Sequence, residues 1–208
     1  MNIVTGAARL DAGSYAMLVS KRGGRYGSLK ELHREFAGQG VFSAPIRNFA
    51  RFDSRSMEVT LLAGMVLRDA GYEFLSEKMP ETGIICVDGV GSHQANKEYF
   101  RDYVDSGRVL GRGNLFIYTL ATSAAAEAAI ACGLKGPLQY LGTAEATLRF
   151  AVAHAVSMLD GHETDAMLCV VCRNDVWQGL LLERRERESG HDECNIDAMV
   201  ASFADSVA

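Results

Sequence analysis

No tract of basic residues runs through this 208-residue chain, whose net charge is −5 with acids and bases interleaved. Nucleic acids and anionic membrane surfaces recruit clustered Lys and Arg, so neither is expected as a partner. Missing too is any apolar run long enough to span a bilayer. The start, Met1-Asn2-Ile3-Val4-Thr5-Gly6, lacks the basic residues and long apolar core of a signal peptide, so a cytoplasmic protein is expected. There is no long linker, low-complexity stretch or exact internal repeat. One domain over residues 1–208 follows, and 48% hydrophobic residues suffice for a real core. The five cysteines, at 86, 132, 169, 172 and 194, are odd in number and mostly sit among apolar or small residues, as core thiols do. Cys169-Val170-Val171-Cys172 has metal-ligand spacing but lies in an apolar run that reads as a strand. Residues three apart on a strand point to opposite faces, so the two sulfurs should diverge. Nor does Gly89-Val90-Gly91-Ser92 make a dinucleotide fingerprint, because the third glycine is absent. No cofactor and no metal are expected.

What is present is an alternation of short β-rich runs with helical periodicity. Strands are predicted at Met1 to Gly6, Thr82 to Asp88, Leu138 to Leu141, Ala166 to Cys172 and Trp177 to Glu183. Helices are predicted at Leu29 to Phe36, Ser54 to Ala70, around Lys97, at Thr122 to Cys132, Ala144 to Leu159 and Asn195 to Val207. Asp53 or Ser54 can cap the second of these and Gly71 ends it. The fold class is therefore α/β, a mixed five-stranded sheet with helices on both faces. The helix after Thr143 carries Leu148, Val152, Ala155, Val156 and Leu159 on one face and is expected to be the most buried. Glu145 falls in its first turn, where an acid is favoured in any case.

Several blocks, in order, resemble the N-terminal half of a β-ketoacyl synthase of the thiolase-like superfamily. Asn48-Phe49-Ala50-Arg51-Phe52-Asp53 with Asp69-Ala70-Gly71 is similar to the family's first long helix, and Thr82 to Gly91 to its glycine-rich strand and loop. Phe116 to Ile130 is similar to the segment of subunit contact. Gly133-Leu134-Lys135-Gly136-Pro137 to Thr143-Ala144-Glu145 resembles the run into the nucleophile turn, and Gln178 to Arg184 resembles the strand that closes the half. The likeness covers roughly residues 48 to 187 and implies half of a thiolase-like fold.

Two departures carry the functional expectation. Glu145 stands where the resemblance places a nucleophilic cysteine, and a carboxylate is a poor acyl carrier because its acyl form is a labile mixed anhydride. The family's second half, with its two histidines, is not matched. His33, His93, His154, His162 and His191 correspond to neither, and His154 reads as packed or hydrogen-bonded. The resemblance thus implies no catalytic residue, but a chain-length-factor type of subunit. Such a subunit pairs with a full-length ketosynthase in type II fatty-acid or polyketide synthesis, aryl polyenes included, and shapes its acyl tunnel. Tyr118, Thr119, Leu120, Ala121, Thr122, Ser123 and Ala124 are the implied interface and tunnel residues, in a hetero- or homodimer. The small-residue helix that follows reads equally as a subunit contact or as a plain buried helix. Two other readings stay open. One is a decarboxylase or other acyl-handling enzyme using Glu145 as acid or base. The other is a module binding an acyl carrier protein, with Arg101, Arg108 and Arg112 receiving the acidic carrier.

Overall fold

Strand β4 (Thr82–Asp88) is buried at every position, so its alternating side chains must feed a core on each face of the sheet. They do. Ile84 and Cys86 enter one cluster with Leu168, Val170, Trp177 and Leu181. Ile85 and Val87 enter the other with Met167, Cys169, Leu180 and Leu182. The computed structural model of the protein describes residues 1–39, 42, 46–73, 79–109, 111–143, 146–184 and 196–205. Strand β4 pairs in parallel with β5 (Leu138–Gly142) on one side and β6 (Ala166–Arg173) on the other. β6 returns antiparallel into β7 (Val176–Arg184) through Asn174 and Asp175, both at positive φ, as a two-residue hairpin turn requires. β1 (Asn2–Asp11) lies antiparallel against β7.

All five expected strands are present, but the sheet has seven. Its order is β3-β2-β1-β7-β6-β4-β5, because β2 (Ser14–Met17) and β3 (Arg22–Arg25) continue from β1 as a meander. These two were not expected, for a physical reason. Arg22-Gly23-Gly24-Arg25 has no buried face and is a strand only because β2 offers it backbone partners. β1 also runs beyond the expected end at Gly6, after a register shift between Val4 and Gly6.

Helix α2 (Ser54–Asp69) is capped by Asp53, which accepts from Ser56 N at 2.9 Å, and is followed by Gly71 at φ 87°. It crosses β1 and β7 at two glycines. A Cβ on Gly6 would overlap the Val66 carbonyl, and one on Gly179 would lie 2.7 Å from Val66 Cγ2. α1 (Leu29–Gly38) and α5 (Ser123–Cys132) share this face with α2. The polar helix expected around Lys97 is α3 (His93–Asp105), which has no buried residue and packs against the short α4 (Gly113–Phe116). α6 (Leu148–Asp160), capped by Thr147, and α7 (Ile196–Asp205) pack on the other face of the sheet.

The most buried helix is α2, not α6 as expected: twelve of its 16 residues are buried against six of 13. α2 is enclosed by the sheet, α5 and α1, whereas the outer side of α6, with Arg149, Ala153 and Ser157, faces solvent. His154 is exposed there too, and its ring meets the edge of Phe150 at 4.7 Å. The cysteines follow expectation. Cys169 lies in one core and Cys172 packs against the other, and burial pushes the Cys86, Cys132 and Cys169 thiols up to about 12. Cys194 and His191 lie outside the described residues. No single described helix is long and apolar enough to cross a membrane.

Candidate functional site

Where β4 and β5 end side by side, the lone charge of an otherwise uncharged strand organises everything around it. Asp88 closes β4 and is 1% exposed. Its Oδ1 accepts from Val90 N at 2.8 Å and Gly91 N at 2.7 Å, folding residues 88–92 into a tight loop. Its Oδ2 accepts from the Tyr140 hydroxyl at 3.2 Å and is ion-paired with Arg55 from the first turn of α2. Arg55 also donates to Gly91 O at 2.7 Å and lies over the Trp177 ring at 5.3 Å. The Trp177 indole N–H donates to Glu58 at 2.8 Å. Burial pushes the Glu58 carboxyl up from its ordinary value; the indole bond and the Arg55 charge pull against that. Burial raises the Tyr140 phenol as well, with Arg55 opposing.

Two cavities flank this network. A chamber of about 470 Å³ is lined by Asp88, Ser92, His93, Asn96, Ala121 and Tyr140 among others. A second, of about 280 Å³, adjoins it at Val90, Gly91 and Ser92 and is bordered by Asp53, Glu58, Glu98 and Asp175, with Arg55 its sole cationic residue among the described ones. Asp88 O also accepts from Thr143 N at 3.1 Å, fixing the strand end that leads to the implied nucleophile position. Ala144 and Glu145 themselves lie outside the described residues.

The implied contact segment, Tyr118 to Ala124, starts within a short 3₁₀ turn (Ile117–Thr119) that follows α4. Its side chains divide. Leu120 is 54% exposed, and its neighbours Phe116 and Ile117 are 51% and 49% exposed. Thr122 is exposed, Ala121 lines the chamber, and Ser123 and Ala124 are buried. Tyr118 is half-buried and bonded to Glu127, and burial followed by the Glu127 charge pushes its phenol up to about 12. Ala124, one of the implied interface residues, belongs instead to the core under α5. The small residues of α5 are spent within the chain: Ala125, Ala128 and Cys132 join the core cluster of α2, while Ile130 points out. Of the three arginines, Arg112 is tied to Asp102 at 3.1 Å, and Arg101 and Arg108 are exposed.

The Arg55–Asp88–Tyr140 network escaped the sequence reading, although one signal existed: an aspartate ending a wholly apolar strand. Among the described residues, no group of His, Cys, Asp and Glu could hold a metal ion. The family model for the β-ketoacyl synthase N-terminal domain matches residues 11–182. The chain belongs to this family. Among curated proteins, none matches it. Several solved synthases share its fold. The ishigamide ketosynthase/chain length factor aligns with a TM-score of 0.61 and 15% identity, over 90% of this chain and 63% of that one. A type II polyketide acyl-carrier protein in complex with its ketosynthase bound to the hexaketide gives 0.63 and 11%, over 88% and 63%. The ketosynthase ApeO in complex with its chain length factor ApeC, from Xenorhabdus doucetiae, gives 0.54 and 10%, over 78% and 74%. This β-ketoacyl synthase domain thus spans less than two thirds of the first two chains.

Proposed function

We propose that this chain is a single-domain, non-catalytic subunit of the chain-length-factor type, pairing with an active ketosynthase in type II fatty-acid or polyketide synthesis, aryl polyenes included. The observation that carries the reading is an apolar surface beside an open sheet edge. Phe116, Ile117 and Leu120, neighbours in one short turn, are each about half exposed. α5 touches both their turn and β5, which pairs with β4 on one side and, among the described residues, has no strand on the other. Exposed apolar residues that cluster mark a surface built for another chain, and an unpaired edge invites strand addition. Tyr118 to Ala124 is then the part that meets the partner, with Leu120 reaching outward toward its acyl tunnel. Solved complexes of ketosynthases with chain length factors are among the proteins sharing this fold, which supports the pairing. The acidic cavity beside the chamber repels an acidic acyl carrier, so such a carrier docks on the synthase side or on the side of Arg101 and Arg108.

Co-expression with a full-length ketosynthase tests this. A 1:1 complex should appear in light scattering, with the isolated chain self-associating. Leu120→Asp should weaken the complex by about 1–3 kcal/mol, roughly 5- to 150-fold in Kd. Ala121→Trp should shorten the product or break the pair, because close-packed positions tolerate added atoms badly. Condensation by the isolated chain, or activity lost in Glu145→Gln but untouched in Ala121→Trp, would instead make Glu145 the centre of an acyl-handling enzyme.

A further inference from the structure

The partner-facing turn is anchored at its end by Ser123 and Ala124 in the core and by the Tyr118–Glu127 bond, while Thr119 is also tied from outside the segment. Its internal bonds are short-range: Thr119 Oγ1 donates to Phe116 O at 2.7 Å, and the Ser123 hydroxyl donates to Ile117 O. A bond tying it to the sheet's end comes from Ser92, whose hydroxyl donates to Thr119 O at 2.6 Å while accepting from Asn96 Nδ2 at 3.1 Å. Ser92 sits directly after the loop that Asp88 and Arg55 clamp. Asp88 takes the two N–H groups of Val90 and Gly91, and Arg55 takes the carbonyl of Gly91. A guanidinium can grip a carboxylate and a carbonyl together because its donors are fixed in one plane. The Trp177 ring beneath it and the α2 backbone restrict its other motions.

We infer that Arg55 and Asp88 are positioning residues for the partner-facing segment, acting through the 88–92 loop and the Ser92–Thr119 bond. The inference deepens the proposed function and rests on it only for the identity of the partner. The clamp sets where Thr119 stands, and Thr119 lies between Tyr118 and Leu120. Ala121, two residues on, borders the same chamber as Asp88 and Ser92. A change at the clamp therefore reaches both the chamber wall and the surface that meets the second chain. Charge on Asp88 is essential to this, since the Asp88→Asn side chain would present an amide N–H₂ either to the loop's N–H groups or to Arg55.

Hydrogen–deuterium exchange on the purified full chain reads the coupling link by link. Asp88→Asn should raise exchange about tenfold in peptides covering both 88–92 and 117–124. Arg55→Lys should do the same, because an ammonium lacks the planar fork. Ser92→Ala breaks only the last link and lies on a half-buried loop, so the fold survives it. It should raise exchange in 117–124 and leave 88–92 unchanged. Glu58→Gln, in the same cavity but outside the clamp, should change neither. An even rise over all peptides in Asp88→Asn, or no change at 117–124 in Ser92→Ala, overturns the inference. Affinity for the synthase, measured on the same variants, separates the two ideas. If exchange at 117–124 rises and affinity holds, the positioning stands and the pairing through this segment fails.

Discussion

Replacing Asp69 tests whether the scaffold beneath the site is held as described. Asp69 ends α2, where the helix dipole disfavours a negative charge, yet it is only 7% exposed. Four donors compensate. Its Oδ2 accepts from Ala7 N at 3.0 Å and Val19 N at 2.9 Å, and its Oδ1 accepts from Ser20 N at 2.8 Å and Ser20 Oγ at 2.6 Å. The carboxylate thereby pins the turn between β2 and β3, and β1 just past its register shift, to the end of α2. Bonds to a charged group are worth about 1.5–3 kcal/mol each, but their sum overstates the loss. Val19 and Ser20 are exposed, so in Asp69→Ala their donors regain water. Ala7 is fully buried, and its stranded N–H costs about 1–3 kcal/mol. With about 1 kcal/mol for the loosened turn, the expected loss is about 2–4 kcal/mol. For a chain of this size that is a fall in Tm of roughly 5–15 °C. Asp69→Asn should recover little, since it turns one acceptor into a donor aimed at donors. Urea unfolding at pH 7, followed by circular dichroism, gives the number. A loss below about 1 kcal/mol in Asp69→Ala would refute the pinning role.

Two further predictions concern the core and its pH response. Gly6→Ala and Gly179→Ala add the same methyl under α2. The first meets the unyielding Val66 carbonyl and should leave little folded protein, whereas the second meets side chains of Val66 and Leu62 that can rotate and should cost about 1–3 kcal/mol in urea unfolding. His33 is buried, stacks on Phe49 at 4.2 Å and accepts from Ile46 N at 2.9 Å through Nε2, and burial lowers its pKa below 6.5. As pH falls through 6.5 the unfolded chain takes up a proton that the folded one refuses, so stability present above 6.5 declines toward the lower folded value. His33→Leu should flatten the difference in unfolding free energy between about pH 7 and about pH 5.5 relative to the parent, and an unchanged slope would count against it.

How far these features were legible depends on what encodes them. β4, β6 and β7 announce themselves because a strand buried on both faces must be apolar throughout, and α2 because its cap and its terminal glycine bracket a regular period. The β2–β3 extension carries no such pattern: β2 sends only Met17 fully into the core, and β3 exists through backbone pairing alone. The clamp was illegible for another reason. Tyr140 meets Asp88 across 52 positions and Arg55 meets Gly91 across 36, and no local spacing records such pairs. α6 was expected to be more buried than α2 because composition tells which residues are apolar, not which helix has neighbours on two sides.

The chamber's own chemistry bears on which chain uses it. Its lining is polar: Asp88, Ser92, His93, Asn96 and the Tyr140 hydroxyl, of which Asp88, Ser92 and Tyr140 already have partners within the chain. Each buried methylene contributes about 0.8 kcal/mol, while each polar group stripped of a partner costs about 1–3 kcal/mol. A polar wall of this kind offsets part of what burying an acyl chain would contribute. A synthase needs the reverse balance, an apolar sleeve with few polar atoms. Here the apolar side chains at this end, Ile117 and Leu120, face out of the protein. Their burial would be favourable against another molecule, which under the proposed pairing is the partner synthase. The wall that Asp88 and Ser92 form is also the one from which the Ser92 hydroxyl donates to Thr119 O, next to the exposed Leu120.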